Sequence, residues 1–168
     1  GFLLFGVALQ YTGGGQFFLN LAFSLLGYVR GGPAKVAIFA SGLMGSMSGS
    51  VITNVLTTGA LSIPAMKRIG FKPHVAGGVE ACASTGGVLM PPIMGATAFI
   101  MAINLEVPYR DIVVAAVIPS VLYFFALFMQ IDGYAAKNKL EGLPKVELPT
   151  VSQTLKDGWY YVCLLYTS

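Results

Sequence analysis

The sequence predicts an all-α integral membrane fold, in which transmembrane helices include a re-entrant helical hairpin and a broken helix. Composition is the first observation behind this. Apolar residues make up 55% of the 168 residues and charged residues 10%, against roughly 25% charged in soluble domains; mean hydropathy is +0.74. The second is the spacing of charge. Residues 1–29, 36–66, 81–105 and 112–131 hold no charged side chain, and each run exceeds the roughly 18 apolar residues that mark a candidate span. The third is polar interruption inside those runs. The stretch 41–64, SGLMGSMSGSVITNVLTTGALSIP, is centred on Gly, Ser, Thr and Asn. In lipid an unpartnered backbone polar group costs several kcal/mol, so irregular backbone persists only where protein packs on it or it lines a cavity. That stretch reads as the tip of a broken or re-entrant hairpin that binds an ion or a small solute.

Residues 1–29 read as an interrupted transmembrane helix. Gly13, Gly14 and Gly15 follow one another, each costing about 1 kcal/mol relative to Ala in a helix interior, so the span ends or bends there and 16–29 continues it. Arg30 to Lys35 forms a basic turn with Pro33 suited to a helix start. The run 36–66 is too long for one untilted helix, which needs about 20 residues. It is flanked by Arg30 and Lys35 before and by Lys67, Arg68 and Lys72 after, with no acid in either loop. Short cytoplasmic loops are enriched in Lys and Arg, and with both loops on that side the run must enter the membrane and return. Residues 36–66 are therefore expected to be a re-entrant helical hairpin. Residues 74–105 are expected to be a broken transmembrane helix, unwound over 84–92, where Ser84, Thr85, Gly86 and Gly87 precede Pro91 and Pro92; an interior Pro costs about 3 kcal/mol. The turn bearing Glu106, Arg110 and Asp111 has a net charge of −1, which suits the opposite face. Residues 112–131 read as a plain span and 132–157 as a cytoplasmic linker. Residues 158–168 read as the start of a truncated span, with Trp159, Tyr160 and Tyr161 at the interface. The chain opens and closes inside apolar runs and carries no basic signal-peptide start, as a piece of a longer protein would; the closing CLLYTS changes character abruptly and reads as a scar.

Two motifs could carry chemistry. GSMSGSVITN offers hydroxyls, an amide and glycines that let backbone carbonyls turn inward, the oxygen ligands that a hard cation such as Na⁺ takes. Half-helix ends add carbonyls toward a cation and amides toward a carboxylate. Gly45 and Gly49 also form a GxxxG pair, and Ser46 and Ser50 a parallel small pair, both common in helix packing. Asn54, on the face of Ser50, argues for a site. The second motif, STGGVLMPP, repeats the theme, although Ser and Thr could simply satisfy carbonyls freed at a Pro kink. Two polar breaks in consecutive elements favour one shared site. The cation ligands are read as Ser46, Ser48, Gly49, Ser50 and Asn54 with Ser84, Thr85, Gly86 and Gly87; the solute contacts are read as Thr53, Asn54, Pro91 and Pro92.

Glu80 is the acid nearest the core of a span. A charge at the bilayer centre costs roughly 2.5 kcal/mol or more, so it is read either as an interface-level carboxylate paired with Lys72 or Arg68 or as a coupling residue. His74 reads as interfacial, Met44, Met47, Met90 and Met94 as core, and Cys82 and Cys163 as buried inert thiols without metal-ligand spacing. The net charge of +3 is too small to imply nucleic acid. No nucleophile–base pair, metal cluster or cofactor motif is evident within the spans, so no enzyme activity is expected.

Over residues 11–123 the chain resembles the permease of tripartite ATP-independent periplasmic (TRAP) transporters, especially the TAXI-type fused permeases. GSMSGSVITN and STGGVLMPP together carry the likeness. The resemblance implies half of an inverted-repeat, elevator-type secondary transporter in a bacterial or archaeal cytoplasmic membrane. It implies uptake of small organic acids by symport with Na⁺ or another cation. The implied partners are a periplasmic solute-binding protein, the lipid bilayer and the remaining half of the permease, whose second hairpin would complete the solute site. By the same likeness, 36–66 matches the first helical hairpin, with its tip at 46–54, and 84–92 the unwound part of the broken helix. The nearest rival is a divalent-anion/Na⁺ symporter with similar hairpins. From another class, the alternative is a channel-like or structural subunit assembled through GxxxG packing.

Overall fold

A computed structural model describes residues 12–142, together with Thr154 and Lys156. The first residues of the interrupted span, most of the expected linker, the 158–168 segment and Cys163 lie outside the described residues. Within them all regular structure is α-helical, in the order α1 (Gly14–Leu26), α2 (Gly32–Ser48), α3 (Val51–Arg68), α4 (Pro73–Leu89), α5 (Ala96–Leu105) and α6 (Tyr109–Lys137).

Local chemistry sets these boundaries. Gly13 takes a left-handed conformation (φ 88°) and α1 begins immediately after it. Gly31 (φ 63°) and Pro33 start α2. At the other end of α2, Gly49 (φ 61°) turns the chain, its N–H donating to the Gly45 carbonyl at 3.0 Å. The side chain of Ser50 then accepts the Thr53 N–H at 3.4 Å and caps α3. α3 passes through Pro64 without interruption. The unwound part of the next element is shorter and later than expected. α4 stays helical to Leu89 and the break falls at 90–95, so Ser84–Gly87 is helix. Ser84 is held by its bond to Glu80 one turn earlier, and Gly86 and Gly87 let neighbouring helices approach; the paired prolines alone stop the helix.

α2 is the axis of the molecule, buried along nearly its whole length and packed against α1, α3, α4 and α6. It can be central because it is built from Ala, Gly and Ser. The hydroxyls of Ser41 and Thr58 meet at 3.0 Å, so α2 and α3 form an antiparallel helical hairpin. α4 runs parallel to α2: Ala34, Ala37 and Ile38 share a core cluster with Ala76, Val79 and Ala83. Higher up, a Cβ on Gly45 would lie 2.6 Å from the Gly87 Cα, and one on Gly87 would lie 2.5 Å from the Ser41 carbonyl oxygen. Only glycine permits that approach.

α6 returns to the open end of the hairpin. The Gly31 N–H donates to the Leu140 carbonyl (3.3 Å), Phe71 stacks on Tyr134 (centroids 5.5 Å), and the buried ammonium of Lys35 bonds Asp132 at 2.5 Å beneath the Phe128 ring. Lys35, expected in a loop, is thus a core residue of α2, and Asp132, expected to open the linker, lies inside α6. Among the described residues α6 is the one helix long and apolar enough to cross a membrane. Among the described residues the other charge-free runs are divided by breaks at Gly13, at 49–50 and at 90–95.

Candidate functional site

The two polar motifs meet at the closed end of the hairpin. α2 and α4 finish side by side at Ser48 and Leu89. The 90–95 segment folds over both ends: the Ile93 N–H donates to the Ser46 carbonyl (3.3 Å) and the Gly95 N–H to the Val88 carbonyl (3.0 Å). A Cβ on Gly49 would lie 2.6 Å from the Met94 carbonyl oxygen. α3 and α5 start at the same place, at Val51 and Ala96. Two helix carbonyl ends and two amide ends therefore converge, each worth roughly half an elementary charge, negative and positive respectively.

Asn54 stands beneath this junction, fully buried. Its Nδ2 donates to the Ser41 carbonyl at 2.8 Å, and its own carbonyl accepts the Thr58 hydroxyl at 2.8 Å. A carbonyl oxygen only accepts, so the amide nitrogen must face Ser41 and Oδ1 must face away. Oδ1 is buried with no hydrogen-bond partner, and so is the hydroxyl of Ser48 at the end of α2. Buried polar atoms are nearly always paired, so these two orphans, one in the last residue of α2 and one in the first turn of α3, are the candidate atoms for a ligand.

The other residues singled out by the sequence divide. Gly87 touches Asn54, and Gly49 forms the turn. Ser46 spends its hydroxyl on the Leu43 carbonyl (2.8 Å) but presents its own carbonyl to the break. Ser50 accepts from both the backbone and the hydroxyl of Thr53 (3.4 and 3.2 Å), so that pair is occupied with capping. Pro91 and Pro92 lie in the break, where the Tyr109 hydroxyl donates to the Ile93 carbonyl with the Pro92 carbonyl 3.4 Å away. The structure does not bring Thr85 and Gly86 to the tip. Thr85 is exposed and bonds the Ala81 carbonyl (2.8 Å); Gly86 faces the Tyr123 and Phe124 rings of α6. Successive residues on a helix turn by about 100°, so four neighbours cannot share one site. Ser84 is buried but points at Glu80.

Glu80 is not paired with Lys72 or Arg68. It is fully buried, and its carboxyl accepts the hydroxyls of Ser41 (3.0 Å), Thr58, Ser62 and Ser84 (3.3 Å), from α2, α3 and α4. Sequence reasoning passed over Ser41, Thr58 and Ser62. A signal was present: Asn54, Thr58 and Ser62 recur every fourth residue, a polar stripe on one face of an apolar helix. Cys82, expected to be buried, is exposed. Among the described residues no group of three or more His, Cys, Asp or Glu could hold a metal ion; the tip offers neutral oxygens only.

Residues 1–167 match the family described as the DctM component of the tripartite ATP-independent periplasmic transporter. The chain is 30% identical over 147 residues to the C4-dicarboxylate TRAP transporter large permease protein DctM of Pseudomonas aeruginosa, covering 88% of this chain and 34% of that protein. It is 29% identical over 161 residues to the sialic acid TRAP transporter permease protein SiaT of Haemophilus influenzae, covering 96% and 26%. It is 28% identical over 158 residues to the sialic acid TRAP transporter large permease protein SiaM of Vibrio cholerae, covering 94% and 36%. The chain thus spans between about a quarter and about a third of the length of these relatives. A helical hairpin closed by a polar tip and a helix broken beside it are set in a sequence matched almost end to end, and on that match the chain belongs to the DctM component family of tripartite ATP-independent periplasmic transporters.

Proposed function

We propose that this chain forms half of the transport domain of a secondary active permease that imports small organic acids by cation symport, with Na⁺ as the cation. The observation that carries the reading is the pair of orphan oxygens, Asn54 Oδ1 and Ser48 Oγ, buried where two helix carbonyl ends converge. A dehydrated cation needs a ring of oxygens, and neutral ligands at a negative dipole end supply one without adding a charge in lipid. The amide ends of α3 and α5 offer the complementary field to a carboxylate, with Thr53, Asn54, Pro91 and Pro92 lining its place. Ser46, Gly49, Ser50, Ser84, Thr85, Gly86 and Gly87 complete the cation set read from the sequence; Ser48, Gly49, Asn54 and Gly87 have the best claim by position. The relatives named for C4-dicarboxylate and sialic acid agree with an acidic solute.

In this reading the hairpin is re-entrant and the domain moves as an elevator within a multi-pass protein of a bacterial or archaeal cytoplasmic membrane. The solute arrives on a periplasmic binding protein, the remaining half of the permease completes its site, and the architecture is of the TAXI-type fused kind. Packing alone is the second reading, favoured by the contact of Gly45 with Gly87. It accounts for the glycines but leaves the two orphan oxygens without a reason.

The test is sodium-dependent uptake by the full-length permease. Asn54→Ala and Ser48→Ala should each abolish it while the protein remains expressed in the membrane. Unaltered uptake in both variants would favour packing and sink the cation site.

A further inference from the structure

The buried carboxyl of Glu80 has no role in the site as described. It lies in the charge-free interior between α2, α3 and α4, and no ion pair among the described residues involves it. Burying a carboxyl is costly unless it is fully hydrogen-bonded, and four hydroxyls lie within bonding distance of it. Two of the four belong to residues that also grip Asn54. Thr58 Oγ1 lies against the Glu80 carboxyl and 2.8 Å from the Asn54 carbonyl. Ser41 places its hydroxyl 3.0 Å from Glu80 and 3.0 Å from Thr58, while its carbonyl takes the Asn54 amide at 2.8 Å.

A hydroxyl carries one hydrogen. The hydrogen of Thr58 cannot serve the Asn54 carbonyl and the Glu80 carboxyl at once, and that of Ser41 cannot serve both Thr58 and Glu80. Which bonds form is therefore decided by what Glu80 accepts. With the carboxyl accepting from Ser41 on α2 and from Thr58 and Ser62 on α3, the two helices are held at the register in which the Ser41 carbonyl meets the Asn54 amide nitrogen. The Asn54 side chain is then held at its amide nitrogen, and Oδ1 is left unpaired. Remove the carboxyl acceptor, and that clamp between α2 and α3 is lost.

We propose that Glu80 is a positioning residue for the cation site, fixing the orientation of Asn54 through Thr58 and Ser41 and so setting the cation affinity of the hairpin tip. The proposal rests on the cation-site reading above. It differs from a packing role in what it predicts: a packing role governs how stable the empty protein is, whereas a positioning role governs how much sodium is needed to fill the site.

The experiment is sodium-dependent thermal stabilisation of the full-length permease, titrating Na⁺ against choline at constant ionic strength. Glu80→Gln keeps the shape but replaces an acceptor oxygen by an NH₂ donor; Thr58→Val removes the relay hydroxyl with little change in volume. Each should raise the half-saturating sodium by about tenfold or more, the loss usual when an outer-shell partner of a metal ligand is removed. Thr58→Ser, which retains the hydroxyl, should restore the wild-type value within about twofold. Combining Glu80→Gln with Thr58→Val should shift it no further than either alone, since both act on one chain of bonds. Should Glu80→Gln fail to fold, Thr58→Val and Thr58→Ser carry the test. Variants that melt lower in choline but keep the wild-type half-saturating sodium would assign Glu80 to packing and overturn the proposal. Absence of any sodium response in the wild type would overturn the cation site itself, and this inference with it.

Discussion

At the scale of single residues, the glycines make the sharpest statements, because a missing Cβ at an interface is a measurable distance. Gly45 and Gly87 bring α2 and α4 into backbone contact, and a methyl on Gly87 would press on the Ser41 carbonyl that holds Asn54. Backbone cannot yield as a flexible side chain can, so Gly45→Ala and Gly87→Ala should each destabilise by about 1–3 kcal/mol, the usual cost of overpacking. Gly77 and Gly78 sit on α4 with nothing within 4 Å of an added Cβ. There the same substitution should leave stability unchanged or raise it by about 0.5–1 kcal/mol through helix propensity. Thermal unfolding of the four full-length variants checks both halves, and equal losses at all four positions would remove the close helix contact. Residue composition told the sequence reader that small residues mattered here, but not which ones touch. Ser84, Thr85, Gly86 and Gly87 look alike in a string, yet they face Glu80, solvent, α6 and Asn54 in turn, and only the phase of the helix separates them. The hydroxyls around Glu80 were hidden for the same reason. They come from three helices, and their meeting depends on a register that no local pattern states.

At the scale of elements, the turn at Gly49 and Ser50 was legible and the fastening of the helices beyond it was not. Gly49 and Ser50 announce a turn because one takes a positive φ and the other caps a helix, and both are local choices. Ser50→Ala removes the cap of α3 and should cost about 0.5–1 kcal/mol, the low end for a cap whose bond is 3.4 Å long; a fall in the helical signal on heating that begins at lower temperature would report it. The pairing of Lys35 with Asp132 joins residues 97 positions apart, and neither position hints at the other. It fastens the open end of the hairpin to α6, with Arg30 a further 4.0 Å from the same carboxylate. Lys35 is buried and Asp132 partly exposed, so the two single substitutions are not equivalent. Asp132→Ala strands an ammonium in the core, whereas Lys35→Met leaves a carboxylate that still has water and Arg30. The melting temperature should therefore fall further for Asp132→Ala than for Lys35→Met, and adding Lys35→Met to Asp132→Ala should recover much of the loss. A double variant that falls by the sum of the two singles would show that the residues act independently.

At the scale of the whole molecule, α6 is the element on which a membrane placement of the proposed site can be tested. Its 29 residues rise about 1.5 Å each and exceed a hydrocarbon core of roughly 30 Å. Val114, Ile118, Val121, Leu122, Phe125 and Met129 are exposed along its length, a surface that in this family has lipid or the rest of the permease to cover it. The end of α6 lies at the open end of the hairpin, where Phe71 meets Tyr134, and its start lies beyond the closed end, after α5 has led away from the tip. If α6 crosses the bilayer, the polar tip is carried inside it while both open ends of the hairpin remain on one face. Arg30 precedes the hairpin and Lys67 lies in its last turn, both exposed; Glu106 is exposed in the turn before α6. In a full-length background with Cys82 and Cys163 replaced by Ala, Arg30→Cys and Lys67→Cys should react with a membrane-impermeant maleimide from the same side, and Glu106→Cys only from the other. Labelling of Arg30→Cys and Lys67→Cys from opposite sides would turn the hairpin into two separate crossings, and would remove the ground for the proposed cation site at Ser48 and Asn54.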